Sequence, residues 1–165
     1  MSFLEILVSY PDEQQIAIVV ESYIISYMII VDTNVWDAAL RSPSGASHFI
    51  LRNVLTGSIV AGASNTLFLE YEDVLKRPDH LRVSMLSVEQ VNIILSALAQ
   101  KLEPIHIHYK WRPMLKDPKD EMVLEAAVNG SANTIVTFNL RDFKGAENFG
   151  VEIIQPGEFV RRLKQ

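Results

Sequence analysis

The stretch Met28-Ile29-Ile30-Val31-Asp32-Thr33-Asn34 constrains this chain more than any other. Four consecutive apolar residues, three of them β-branched, run directly into an acid, a hydroxyl and an amide. A short unbroken apolar run of this kind predicts a strand buried on both faces, as at the centre of a parallel sheet. The polar triplet then falls at the carboxyl end of that strand, where open α/β sheets hold their ligand sites. Asp32 there is either the N-cap of the next helix, a role that Asp, Thr and Asn all fill well, or a functional group.

The rest of the chain alternates in the same way. Helical patterns are expected from Val35 to Leu40, from Ala46 to Leu55 and from Ser64 to Lys76, with Ser64 as cap and Arg77-Pro78-Asp79 as stop. Another helix begins at Ser87, where Glu89 or Gln90 close behind suggests a capping box and Val91, Ile94, Leu95, Leu98 and Leu102 share one face. Asp117-Pro118-Lys119-Asp120 opens a helix that stops at Asn129-Gly130, and Pro156 to Leu163 forms the last. Between them lie candidate strands at Ile59–Ala63, Ile105–Tyr109, Thr134–Thr137 and Val151–Ile154. The alternation predicts an α/β fold, a three-layer α/β/α sandwich with a mainly parallel central sheet and the first strand central.

At 165 residues the chain has the length of one domain with a sizeable core. Residues 28–165 are read as that domain and residues 1–27 as an N-terminal extension. The extension is apolar from Ile16 to Tyr27 but is interrupted by Glu21 and Ser22, too short and too polar to span a bilayer. The absence of cysteine excludes disulfides and thiolate metal sites and is compatible with a cytoplasmic location. The net charge of -5 excludes the overall basic footprint of a simple nucleic-acid binder. Nucleic acid would need a local basic strip or cations held by clustered acids.

Such acids stand at the ends of elements: Asp32 after the first strand, Asp117 and Asp120 at a helix start, Asp142 after the Thr134–Thr137 strand. Glu70 lies on the shoulder of an apolar helix face. Each taken singly also reads as a cap or a solvated flank. Taken together, carboxylates converging at one sheet edge repel one another unless a cation sits among them. Hard oxygen donors of this type suit Mg²⁺ or Mn²⁺.

From Met28 to about Ile154 the chain resembles the PIN domain, most closely the bacterial and archaeal toxins of toxin–antitoxin systems that include VapC-like ribonucleases. The resemblance is carried by four signatures in order. They are Ile30-Val31-Asp32-Thr33-Asn34, Glu70-Tyr71-Glu72-Asp73-Val74-Leu75, Asp117-Pro118-Lys119-Asp120 with Ala126-Ala127, and Ile135-Val136-Thr137-Phe138-Asn139-Leu140-Arg141-Asp142-Phe143. It implies an endoribonuclease of single-stranded RNA that depends on Mg²⁺ or Mn²⁺, restrained by an antitoxin and forming a homodimer. Asp32, Glu70, Asp120 and Asp142 would be its catalytic acids and, with Asp117, its metal ligands. Thr33, Asn34, Thr137 and Asn139 would support them. Many members carry an aspartate where this chain has Asn139, which leaves open whether Asn139 or Asp142 completes the site.

For the RNA backbone, Arg41, Arg52, Lys116, Lys119, Arg141 and Lys144 are candidates, with Arg141 and Lys119 preferred. Trp36 and Trp111 can stack on bases, although Trp36 also reads as core. His106 and His108 share one strand face but lack a third zinc ligand, and His48 and His80 show no pattern. The alternative to an enzyme is a catalytically silent RNA-binding or partner-binding module of the same fold. A phosphoryl-transfer enzyme with Asp32 as nucleophile would need an acid two residues on, where Asn34 stands.

Overall fold

The computed structural model describes residues 28–110, 112 and 114–165. The N-terminal extension and Trp111 lie outside the described residues. β1 (Ile29–Val31) leads into α1 (Thr33–Arg41) and α2 (Ala46–Leu55), then β2 (Ala61–Ser64) and α3 (Asn65–Leu75). α4 (Pro78–Ser84), α5 (Val88–Ala99) and β3 (Glu103–Ile105) follow. α6 (Pro118–Asn129), β4 (Thr134–Val136), a 3₁₀ turn at Ala146–Phe149, β5 (Glu152–Ile154) and α7 (Pro156–Leu163) complete the order.

The strands form one parallel sheet in the order β3-β2-β1-β4-β5, with β1 at its centre. Ile30 stands opposite Gly62 on one side and Ile135 on the other. Ile29, Ile30 and Val31 are all buried, so both faces of the central strand are covered, as the unbroken apolar run requires. β2 is built of small residues for a steric reason. A Cβ on Gly62 would lie 2.7 Å from Cδ1 of Ile105 and 2.9 Å from Sδ of Met28.

Several local signals hold in detail. Ser64 Oγ accepts from the Leu67 amide at 3.2 Å at the head of α3. At the head of α5, Ser87 and Gln90 exchange the two hydrogen bonds of a capping box.

One helix goes beyond the sequence reading, and one expected strand fails. Pro78 ends α3, but it also occupies the first turn of α4, where its missing N–H costs nothing and its fixed φ suits a helix start. The alternating run Ile105–Tyr109 leaves the sheet after Ile105. The amide side chain of Asn129 captures it instead. Its Oδ1 accepts from the His108 and Tyr109 amides at 2.9 and 3.0 Å, and its Nδ2 donates to the Tyr109 carbonyl at 2.9 Å. Those backbone groups are thus satisfied without a neighbouring strand.

Candidate functional site

Asp32 occupies the N-cap position of α1, yet its side chain makes no capping hydrogen bond. The carboxylate, in a residue only 7% exposed, turns across the sheet toward β4. Thr137 Oγ1 donates to its Oδ2 at 2.6 Å and Asn34 Nδ2 donates to the same oxygen at 2.7 Å. Asn34 also bridges to Thr137 Oγ1 at 3.2 Å and accepts the Phe138 amide at 3.3 Å. Thr137 Oγ1 in turn accepts the Asn139 amide at 3.0 Å. The strand pairing that aligns Val31 with Val136 brings these groups together across more than a hundred residues of sequence. Burial pushes the pKa of Asp32 upward, against the pull of Thr137, the Thr33 and Asn34 amides and the Asn34 side chain.

Glu70 comes from α3, whose position is fixed by the next residue. Tyr71 is fully buried and its hydroxyl donates to the Val31 carbonyl at 2.5 Å, one residue before Asp32. Trp36 packs edge-on against Tyr71, their ring centres 6.2 Å apart. Burial first, and then the charge of Asp32, raise the Glu70 carboxyl above its ordinary value. Lys119, the hydroxyl of Thr33 and Arg77 pull it back. Thr33 Oγ1 is buried and completes no hydrogen bond of good geometry, so its effect on Glu70 is that of a nearby dipole.

Asp120 enters from the first turn of α6. Its carboxyl is pushed up to about 6, mainly by burial and then by Asp32, Asp117, Asp142 and Glu70 in that order. The five acids singled out in the sequence therefore share one electrostatic neighbourhood. Within it they differ in role. Asp117 is exposed and caps α6, its Oδ1 accepting from the Lys119 amide at 2.9 Å, so for this residue the capping reading is correct. Asp142 is exposed and reaches the group through its charge on Asp120. Asn139 is exposed and held by its backbone.

Two buried glutamates of α6 carry no sequence signature of function. Glu121 Oε1 accepts the amides of Met114 and Leu115 at 2.5 and 2.7 Å. Glu125 receives Arg112 through two bonds of 2.7 and 2.8 Å. With Asn129 they form a row spaced four residues apart that fastens His108, Tyr109, Arg112, Met114 and Leu115 onto α6. The only available hint is the four-residue spacing on an otherwise apolar helix face.

The basic candidates divide. Arg41 pairs with buried Asp37, which also meets His80 Nδ1 at 2.5 Å, so Arg41 and His80 belong to a structural cluster joining α1 and α4. Trp36 is 1% exposed and is core, not a stacking surface. Arg52 lines a separate cavity with His48. Lys116, Lys119, Arg141 and Lys144 are exposed, and Lys119 acts directly on Glu70.

Among the described residues, no three His, Cys, Asp or Glu groups stand close enough to hold an ion by themselves. The donor set nevertheless fits a hydrated hard cation. Asp32, Glu70 and Asp120 offer oxygen only, burial raises all three, like charge raises Glu70 and Asp120 further, and a cation with retained water shells needs just one or two direct carboxylates.

Comparison with known proteins bears on the same segment. A solved structure of VapBC2 from Rickettsia felis, bound to a DNA fragment from its promoter, superposes with a TM-score of 0.53 at 18% identity. The match covers 76% of this chain and 98% of that one, and it shows a shared fold. No curated protein matches the sequence. The family profile of the PIN domain matches residues 28–141, from the residue before β1 through the loop after β4, with Asp32, Glu70 and Asp120 inside it. This chain belongs to the PIN domain family.

Proposed function

We propose that the protein is a metal-dependent endoribonuclease that hydrolyses single-stranded RNA, the VapC-like toxin of a toxin–antitoxin pair. The observation that carries this reading is the convergence of Asp32, Asp117, Asp142 and Glu70 on Asp120, whose carboxyl pKa burial and these neighbours push up to about 6. Repulsion of that kind is tolerated where a cation belongs. Asp32, Glu70 and Asp120 are the catalytic acids and would hold Mg²⁺ or Mn²⁺, with Asp142 and Asp117 at the margin. A divalent ion there supplies the charge that activates water and stabilises the leaving oxygen of a phosphodiester. The chain's own contribution is placement. Thr137 and Asn34 both donate to Oδ2 of Asp32 and so fix the orientation of its carboxylate. Thr33 and Asn139 line the same edge. Lys119 and Arg141 bind the RNA backbone.

Further partners of this reading are an antitoxin, which would cover the acidic edge, and a second copy of the chain. The setting is cytoplasmic. Among the described residues no single helix is long and apolar enough to cross a membrane.

The test is cleavage of a panel of labelled RNAs by the purified protein with Mn²⁺, with Mg²⁺ and with EDTA. Metal-dependent cleavage lost in Asp32→Asn and Glu70→Gln is the expected result. Cleavage that survives both EDTA and Asp32→Asn would overturn the metal mechanism. Asn139, a neutral amide where many members carry an acid, favours a second reading, a silent RNA-binding module. RNA binding with no cleavage at any metal concentration would select it.

A further inference from the structure

Phe138 is 46% exposed, although Val136 and Thr137 just before it are fully buried. A single exposed aromatic on a protein surface needs no explanation. Phe138 differs because its backbone is built into the network that orients Asp32. Its amide donates to Asn34 Oδ1 at 3.3 Å, and the same Asn34 side chain donates to Asp32 Oδ2 at 2.7 Å. On either side, Thr137 is buried against Asp32 and the Asn139 amide is tied to Thr137 Oγ1. The backbone on both flanks is thus pinned, two hydrogen bonds from the carboxylate, while the ring is left to solvent. Leu140, two residues on, is 41% exposed. Beyond it Arg141 and Lys144 line an open cavity of about 680 Å³, together with Glu147 and Glu152. A ring followed by cations suits an unpaired base followed by its backbone phosphates.

We infer that Phe138 is a stacking platform for an unpaired base of single-stranded RNA next to the phosphate that is cut, with Arg141 and Lys144 tracking the adjoining backbone. This rests on the nuclease reading and names how that site selects single strands. A base paired in a duplex has its faces covered, so a stacking requirement excludes it. Every base has a π face, so the contact tolerates sequence.

Five proteins decide it: wild type, Phe138→Ala, Phe138→Leu, Phe138→Trp and, as a distant exposed control on α7, Leu163→Ala. Each is assayed for cleavage of a short labelled single-stranded RNA with Mn²⁺, and for binding by anisotropy with Ca²⁺. Phe138→Ala and Phe138→Leu are expected to weaken binding by about five- to 150-fold, the range for one lost base–aromatic stack. KM should rise by a similar factor while kcat at saturation changes far less. Phe138→Trp should restore affinity, and its added fluorescence over wild type should be quenched by RNA. Leu keeps the bulk without the π face, so its failure to rescue separates stacking from folding. Wild-type binding and cleavage in Phe138→Leu, or tight binding by Phe138→Trp without quenching, overturns the platform and leaves the nuclease reading standing. Neither binding nor cleavage by wild type overturns both.

Discussion

Replacing Asp120 with Asn should stabilise the metal-free protein. In the fold, Asp120 is pushed up to about 6 from an ordinary value of 3.8. At about 1.36 kcal/mol per pH unit, that gap corresponds to roughly 3 kcal/mol against the folded state once the group is ionised. The side chain is partly open to water, so screening reduces this to about 1–1.5 kcal/mol. The sign follows from proton counts. Between pH 3.8 and about 6 the folded chain retains a proton that the unfolded chain has released. Stability therefore falls as pH rises through this window and stays low above it. Below pH 3.8 the Asp120 contribution vanishes. Asp32 and Glu70, also raised, act in the same direction.

The assay is thermal unfolding of wild type and Asp120→Asn in EDTA from pH 4 to 8. At pH 7.5 the variant should melt about 2–6 °C higher, because 1 kcal/mol is worth about 2–4 °C in a domain of this size. The difference should shrink toward zero at pH 4. With Mn²⁺ in excess the order should reverse, since an ion at a hundred times its Kd adds about 2.7 kcal/mol to the form that binds it. A variant that melts at or below wild type in EDTA at pH 7.5, with a gap that does not change with pH, would refute the idea that burial and the neighbouring carboxylates disfavour the charged form of Asp120.

Thr137→Val removes one of the two donors to Asp32 Oδ2 and should weaken Mn²⁺ binding by about 10–100-fold, as loss of an orienting partner typically does, measured by calorimetry. Tyr71→Phe deletes the hydroxyl bond to the Val31 carbonyl and should lower stability by about 1–3 kcal/mol in urea unfolding, with a smaller loss of Mn²⁺ affinity than Thr137→Val. Glu121→Ala strips the amides of Met114 and Leu115 of their acceptor. It should cost about 1–3 kcal/mol and speed hydrogen exchange at those two amides while leaving exchange in β1 unchanged.

The sheet was legible because its centre is written in local code. Ile29–Val31 has no polar face to expose, and the Ser64 and Ser87 caps act within three residues of themselves. The acid cluster was legible only by adding weak signals, and the roles inside it were not. Asp32 and Asp117 both precede helices and look alike in sequence, yet one turns to Thr137 and the other caps. What separates them is a partner 105 residues away, and no local pattern records it. Arg41 and His80 were misread or passed over for the same reason. Their shared partner, Asp37, sits 43 residues from His80.

α6 shows why such long-range pairing matters to the site. Its first turn offers Asp120 to the acidic edge, while the face one residue round carries Glu121, Glu125 and Asn129 at four-residue steps. Those three hold His108, Tyr109, Met114 and Leu115 by their amides and Arg112 by its side chain. The segment so gripped is the one that leads into Asp117 and the start of α6. A helix start placed only by its cap would fray within its first turn, because its leading N–H groups have no intrahelical partners. Here the approach to that turn is fixed from behind by two buried carboxylates. The position of Asp120 relative to Asp32 is therefore set by acids that never face the site. Their negative charge is already matched by backbone donors and by Arg112, so it adds little to the repulsion that Asp120 must bear.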